Sequence, residues 1–181
     1  MERRRRLYLL IALGLLASTA EARVFMTQQQ ALASAFPAGT KVTRQAFFLT
    51  KAQVDEARRE SGLSFDDQLV IRYMGTTGDK PAGYAYFDSH RVRTLPETVM
   101  IVVSPEGRAD RIEILSFDEP TDYLPKRRWL DQILGRKLDK DLSLNRAVRP
   151  LSGASLSAQA IVNASCKVLA LHKAIGGAAP R

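Results

Sequence analysis

Residues 97–117 read ETVMIVVSPEGRADRIEILSF. Two apolar, β-branched runs, Glu97–Val103 and Ala109–Phe117, flank the turn Ser104-Pro105-Glu106-Gly107. Proline presets φ in such a turn, and glycine closes it without a steric cost. The stretch therefore predicts an antiparallel hairpin. Along its second strand Arg111, Glu113 and Ser116 are read as the polar side. Ile112 and Ile114, with Phe117, take the other.

Working outward, further strands are expected at Thr40–Leu49, Gln68–Met74 and Ala82–Phe87. A turn at Gly75–Asp79 separates the last two. Thr27 with Gln30, and Thr50 with Gln53, each fit a capping box. They predict a first helix ending before Pro37 and Gly39, and a second over Lys51–Ser61 that stops at Gly62. After Phe117 the periodicity breaks into an acidic, proline-bounded loop, Asp118–Pro125, that carries Tyr123. A short helix over Lys126–Leu134 follows, ended by Gly135. The last helix places Leu156, Ala160, Ile161, Ala164, Val168 and Leu171 on one apolar stripe. Helices surrounding a run of strands predict one α+β domain with an antiparallel sheet packed with helices.

The first 22 residues have another character. Four arginines, Arg3–Arg6, precede a 14-residue apolar run, Leu7–Ala20, and the small-x-small triplet Ala20-Glu21-Ala22. That is the layout of a cleavable secretory signal, and the run falls short of the roughly 20 residues that span a bilayer. The expected location is periplasmic or otherwise exported, with membrane anchoring if the segment is retained. Most of the formal charge of +8 stays with the rest of the chain. Its basic residues are dispersed apart from Lys126-Arg127-Arg128, read as a solvated helix start. No aromatic–basic platform points to nucleic acid. The single cysteine, Cys166, excludes an internal disulfide and reads as a buried apolar residue in mid-helix. His90 and His172 have no spaced partner, so metal ligation and a serine hydrolase both lack a signature.

Residues 149–157 read RPLSGASLS. Ser152-Gly153-Ala154-Ser155 joins a polar turn to the last helix. A helix start carries free N–H groups and partial positive charge, so a phosphate can sit there. Gly153 permits close backbone approach, and two hydroxyls are at hand. The alternative is plain serine capping of a helix.

The chain resembles the flavin mononucleotide (FMN)-binding domain family. Members include the flavin-carrying subunits of the Rnf complex and of the sodium-pumping NADH:quinone reductase. The resemblance runs through Gly83-Tyr84-Ala85-Tyr86-Phe87, the Val99–Glu113 hairpin, Glu119-Pro120 and Leu151–Ser157. It implies a flavin-binding core over residues 80–176, with residues 23–79 as preceding helices and strands and 177–181 as a frayed tail. It also implies FMN joined through its phosphate to Ser155 by an exported flavin transferase, with Ser152, Gly153 and Ala154 shaping the turn. Glu119, Pro120 and Tyr123 would wall the ring, Tyr123 by stacking. Packing is the alternative role for Tyr123 and Trp129, and a solvated loop position for Glu119. Arg149 stands where the family carries an acid, and a cation there suits a reversibly held phosphate. The function implied is electron transfer with redox partner proteins, membrane-bound ones among them, and not stand-alone catalysis. The alternatives are a reversible flavin or phosphate-ligand module and a cofactor-less interaction protein.

Overall fold

The computed structural model describes residues 23–176. The expected signal segment 1–22 and the tail 177–181 lie outside the described residues. Five strands form one antiparallel meander in the order β1 (Lys41–Phe48), β2 (Leu69–Thr77), β3 (Lys80–Arg91), β4 (Pro96–Val103), β5 (Ala109–Phe117). Four helices accompany it: α1 (Gln28–Ala35), α2 (Lys51–Ser61), the single turn α3 (Arg127–Leu130) and α4 (Ser155–Ile175). The α+β expectation for a single domain holds.

Both capping boxes form. Thr27 and Thr50 each accept from the third residue of their helix, and Gln30 and Gln53 reach back to the cap. Gly62 ends α2 with φ 70°. Three boundaries differ from expectation. β2 runs on to Thr77, because Gly75 still pairs with Gly83 and the turn is left to Gly78 and Asp79. β3 continues through the polar residues Asp88–Arg91, which pair with Pro96–Val99 although alternation there is not apolar. The expected helix 126–134 shrinks to α3, and Ile133 and Leu134 enter the core from turns instead.

The hairpin β4–β5 forms, with two register shifts. They leave Asp110 and Leu115 as extra residues on β5, since Val103 pairs Ala109 while Val102 pairs Arg111, and Thr98 pairs Ser116 while Val99 pairs Ile114. A bulge moves the residues beyond it to the other face. Between the two bulges plain alternation holds, so Ile112 and Ile114 share one face, as expected, and Leu115 joins Met100 and Val102 on the opposite one.

Each face has its own core. On one, Val99, Ile101, Val103 and Ile112 pack with Ile161, Val168 and Leu171 of α4. α2 closes over α4 through Val54 and Ala57. Leu156 is the exception on the expected stripe, 51% exposed. Truncating Ile161, which has no exposed surface, would cost about 2–5 kcal/mol at such a site. On the other face α1 and Phe36 cover Ala85, Met100 and Leu115. Phe36 lies against the Gly75–Gly83 pair: a Cβ built on Gly75 would come within 2.7 Å of its ring. Residues before α1 cover the β5 edge, where Phe25 N–H donates to Leu115 C=O at 2.8 Å. No helix of the described residues is long and apolar enough to cross a membrane.

Candidate functional site

The chain enters α4 through a tight turn. Ala154 N–H donates to Leu151 C=O at 3.1 Å, and Gly153 sits at φ 77°. Only glycine holds that conformation without strain. A Cβ at Gly153 would meet nothing within 4 Å, so the backbone angle, not crowding, selects the residue. Ala154 is buried and occupies the cap position of α4, with no side-chain cap bond. The expectation that a serine caps this helix is thus corrected. Ser152 precedes the cap and is exposed, and Ser155 is the first helical residue and is exposed. The N–H groups of the first turn are left without a side-chain acceptor, which concentrates partial positive charge beside the Ser155 hydroxyl.

Gly153–Ser157 line a hollow of about 200 Å³ whose other walls are Arg93 and Tyr123. The Arg93 guanidinium carbon lies 5.3 Å from the centroid of the Tyr123 ring. Arg93 comes from the β3–β4 loop and Tyr123 from a 3₁₀ turn at Thr121–Tyr123. Of the expected wall, Tyr123 is present and half-buried, while Pro120 is exposed and leads into that turn without lining the hollow.

Glu119 is neither solvated nor aimed at the hollow. It is 6% exposed, and its Oε1 accepts the N–H groups of Arg93, Thr94 and Leu95 at 3.3, 3.0 and 3.1 Å. The Thr94 and Leu95 N–H groups hold its carboxyl below the usual range. Both alternatives for Glu119 are corrected: it orients the loop that carries Arg93. Arg93 escapes a sequence reading because a lone loop arginine has no pattern. Three consecutive N–H groups gathered by one acid leave no sequence signal either.

Arg149 lies on the other side of the turn. It lines a second, larger concavity together with Ser152, Asp122 and Leu124. The cation on the Ser155 side is Arg93. Trp129 is packed, the alternative role expected for it, at 7% exposure, and its Nε1–H donates to Arg149 C=O at 2.8 Å. Of the basic triplet, Arg127 pairs with Glu113 and Asp131, while Lys126 and Arg128 face the larger concavity.

Each histidine has a partner, contrary to expectation. His90 bridges two carboxylates, with Nδ1 2.8 Å from Asp88 and Nε2 2.9 Å from Glu97. Burial alone would lower its pKa, but the hydrogen bonds to Asp88 and Glu97 raise it to about 9. Lys167 then bonds Asp88 and Asp67, each at 3.0 Å. Burial pushes the Glu97 carboxyl up against His90's pull. Asp88 and His90 share one strand face, and Glu97 is directly opposite His90 across a hairpin. His172 Nδ1 lies 2.8 Å from the Tyr86 hydroxyl, and burial, helped by Arg72, pushes it down to about 4. Neither imidazole is hydrogen-bonded to Ser155. Cys166 is buried on α4, pushed up to about 11 by burial and by Asp139. No group of three or more acid, His or Cys side chains suited to a metal ion occurs among the described residues.

No family model, curated protein or solved structure matches this chain.

Proposed function

We propose that this protein is an exported flavin-mononucleotide carrier that passes electrons between partner proteins. Its flavin phosphate is anchored at the Ser152–Ser155 turn. The carrying observation is the exposed Ser155 hydroxyl at the uncapped start of a 21-residue helix, opening on a hollow walled by Arg93 and Tyr123. A phosphate there would meet open N–H groups and a guanidinium. Tyr123 offers a flat face for a ring. Bound flavin would supply the redox chemistry. The chain's part is to hold the phosphate, orient the ring and keep the Arg93 loop in place through Glu119. The covalent form is a phosphodiester from Ser155 Oγ. After export of the chain on the signal read in residues 1–22, a flavin transferase would move FMN from a flavin dinucleotide to the hydroxyl, which gives up its proton as the donor's pyrophosphate bond breaks and the nucleoside monophosphate leaves.

Mass spectrometry of chain co-expressed with an exported flavin transferase tests this form. The expected product is heavier by one FMN less water, fluorescent on a denaturing gel, and absent from Ser155→Ala. An unmodified mass in both proteins would sink the attachment. Arg93 favours a second, reversible reading, since a cation holds a phosphate without a covalent bond. In that case free FMN titrated into unmodified protein saturates one site, and Arg93→Ala weakens it by at least tenfold.

A further inference from the structure

The concavity on the Arg149 side of the turn encloses about 870 Å³. Sites for small molecules run roughly 300–1,000 Å³. Lys126, Arg128, Arg136 and Arg149 all line it, opposed by the single carboxylate of Asp122. Some cations elsewhere find acids, Arg58 with Asp55 and Asp66, Lys167 with Asp67 and Asp88, and Lys173 with Glu60, while others such as Lys41, Arg44 and Lys80 stand singly among the described residues. What sets the trough apart is that four cations converge on one concavity. Lys126, Arg128 and Arg149 have no acidic partner among the described residues.

The wall that carries these cations is braced. Arg136 Nη2–H donates to Ala147 C=O at 3.1 Å, and its Nε–H to Gln132 C=O at 2.7 Å. Gln132 Oε1 accepts the Arg149 N–H at 3.0 Å, and the Trp129 indole holds the Arg149 carbonyl. Segment 147–149 is thereby fastened to segment 129–136, which fixes the backbone that carries Arg149 and the Arg136 guanidinium, while the Lys126, Arg128 and Arg149 side chains stay exposed at the rim. Leu124, Trp129 and Leu151 give the trough an apolar lining. Convergent uncompensated cations over an apolar floor suit a compact ligand with a flat body and more than one negative charge.

We infer that this trough is a second binding site, for a nucleotide-sized molecule bearing at least two phosphate charges, separate from the flavin position at Ser155. The inference adopts the flavin reading only in placing flavin on the opposite side of the turn. The test is calorimetric titration of the full chain and of Ser155→Ala with ADP and with pyrophosphate, at low and at moderate salt. The expected result is one saturable site for ADP in both proteins, weakened by salt. The double variant Arg128→Ala/Arg149→Ala should bind ADP at least tenfold more weakly while melting at the temperature of the parent. Pyrophosphate binding as tightly as ADP would remove the flat body from the ligand and overturn the nucleotide assignment. Absence of saturable heat with either probe overturns the site itself. Stoichiometric displacement of ADP by FMN would mean that the trough belongs to the flavin position; it overturns this inference and leaves the flavin reading standing. If Ser155→Ala takes up no flavin and still binds ADP, both hold.

Discussion

The start and the middle of α4 are built on opposite terms. At its start Ser152 and Ser155 expose their hydroxyls on an uncapped first turn, with cations without acids nearby, and of the serines there Ser157 alone is buried. Some three turns on, Lys167, Asp88, His90 and Glu97 are drawn into the protein and linked in a chain through Asp88 and His90, with Glu97 Oε1 left unpartnered. Unmet polar groups at a surface cost little in water, whereas inside most are matched. The first region can be altered without loss of fold, and the second cannot.

The sharpest break of that contrast is His90→Ala. It leaves the Asp88 and Glu97 carboxylates buried without the cation between them, and should cost about 3 kcal/mol in denaturant unfolding. A loss under 1 kcal/mol would mean that the cluster relaxes into solvent. The same cluster sets an alkaline limit. Because the folded pKa of His90 is raised to about 9 from 6.5, its stabilisation is complete below pH 6.5 and fades as pH climbs through 9. His172 works in the other sense. Its folded pKa is lowered to about 4, so its contribution is present above pH 6.5 and fades as pH falls toward 4. Unfolding free energies between pH 4 and 10 should show both limbs, with His90→Gln flattening the alkaline one and His172→Phe the acid one.

At the start of α4 the effects shrink. Gly153→Ala should lose about 1–2 kcal/mol, from forcing a Cβ residue to φ 77°, and flavin uptake should drop with it. Trp129→Phe removes the indole donor to Arg149 C=O and should cost about 1 kcal/mol, visible as a small fall in melting temperature. Ser155→Ala should stay within about 0.5 kcal/mol of the parent. A large destabilisation there would show that the serine serves the fold and would sharpen the contrast into a contradiction.

The sequence carried the local grammar well. Thr27, Thr50 and Gly62 act where their spacing put them, and the turn at 104–107 forms, because capping and turn chemistry reach no further than three residues. It carried pairings across the sheet poorly. His90 and Glu97 are seven residues apart, and their meeting depends on the β3–β4 register and on polar residues continuing a strand that alternation alone would end at Phe87. Leu115 takes the face that alternation from Arg111 and Glu113 gives it; the bulge there resets the positions that follow, Ser116 and Phe117, which no period of two can anticipate. At the site, the Ser152–Ser155 turn and Tyr123 were legible. Arg93 and the task of Glu119 were not, because both arise where the loops after β3 and β5 meet.

That meeting gives the hollow a mechanical property. One carboxylate oxygen ties three consecutive amides of the β3–β4 loop to the chain just past β5. Arg93 and Tyr123, thirty positions apart along the chain, are therefore mounted on a common bracket. Losing that carboxylate, as in Glu119→Ala, should therefore disturb cation and ring together and not one of them alone.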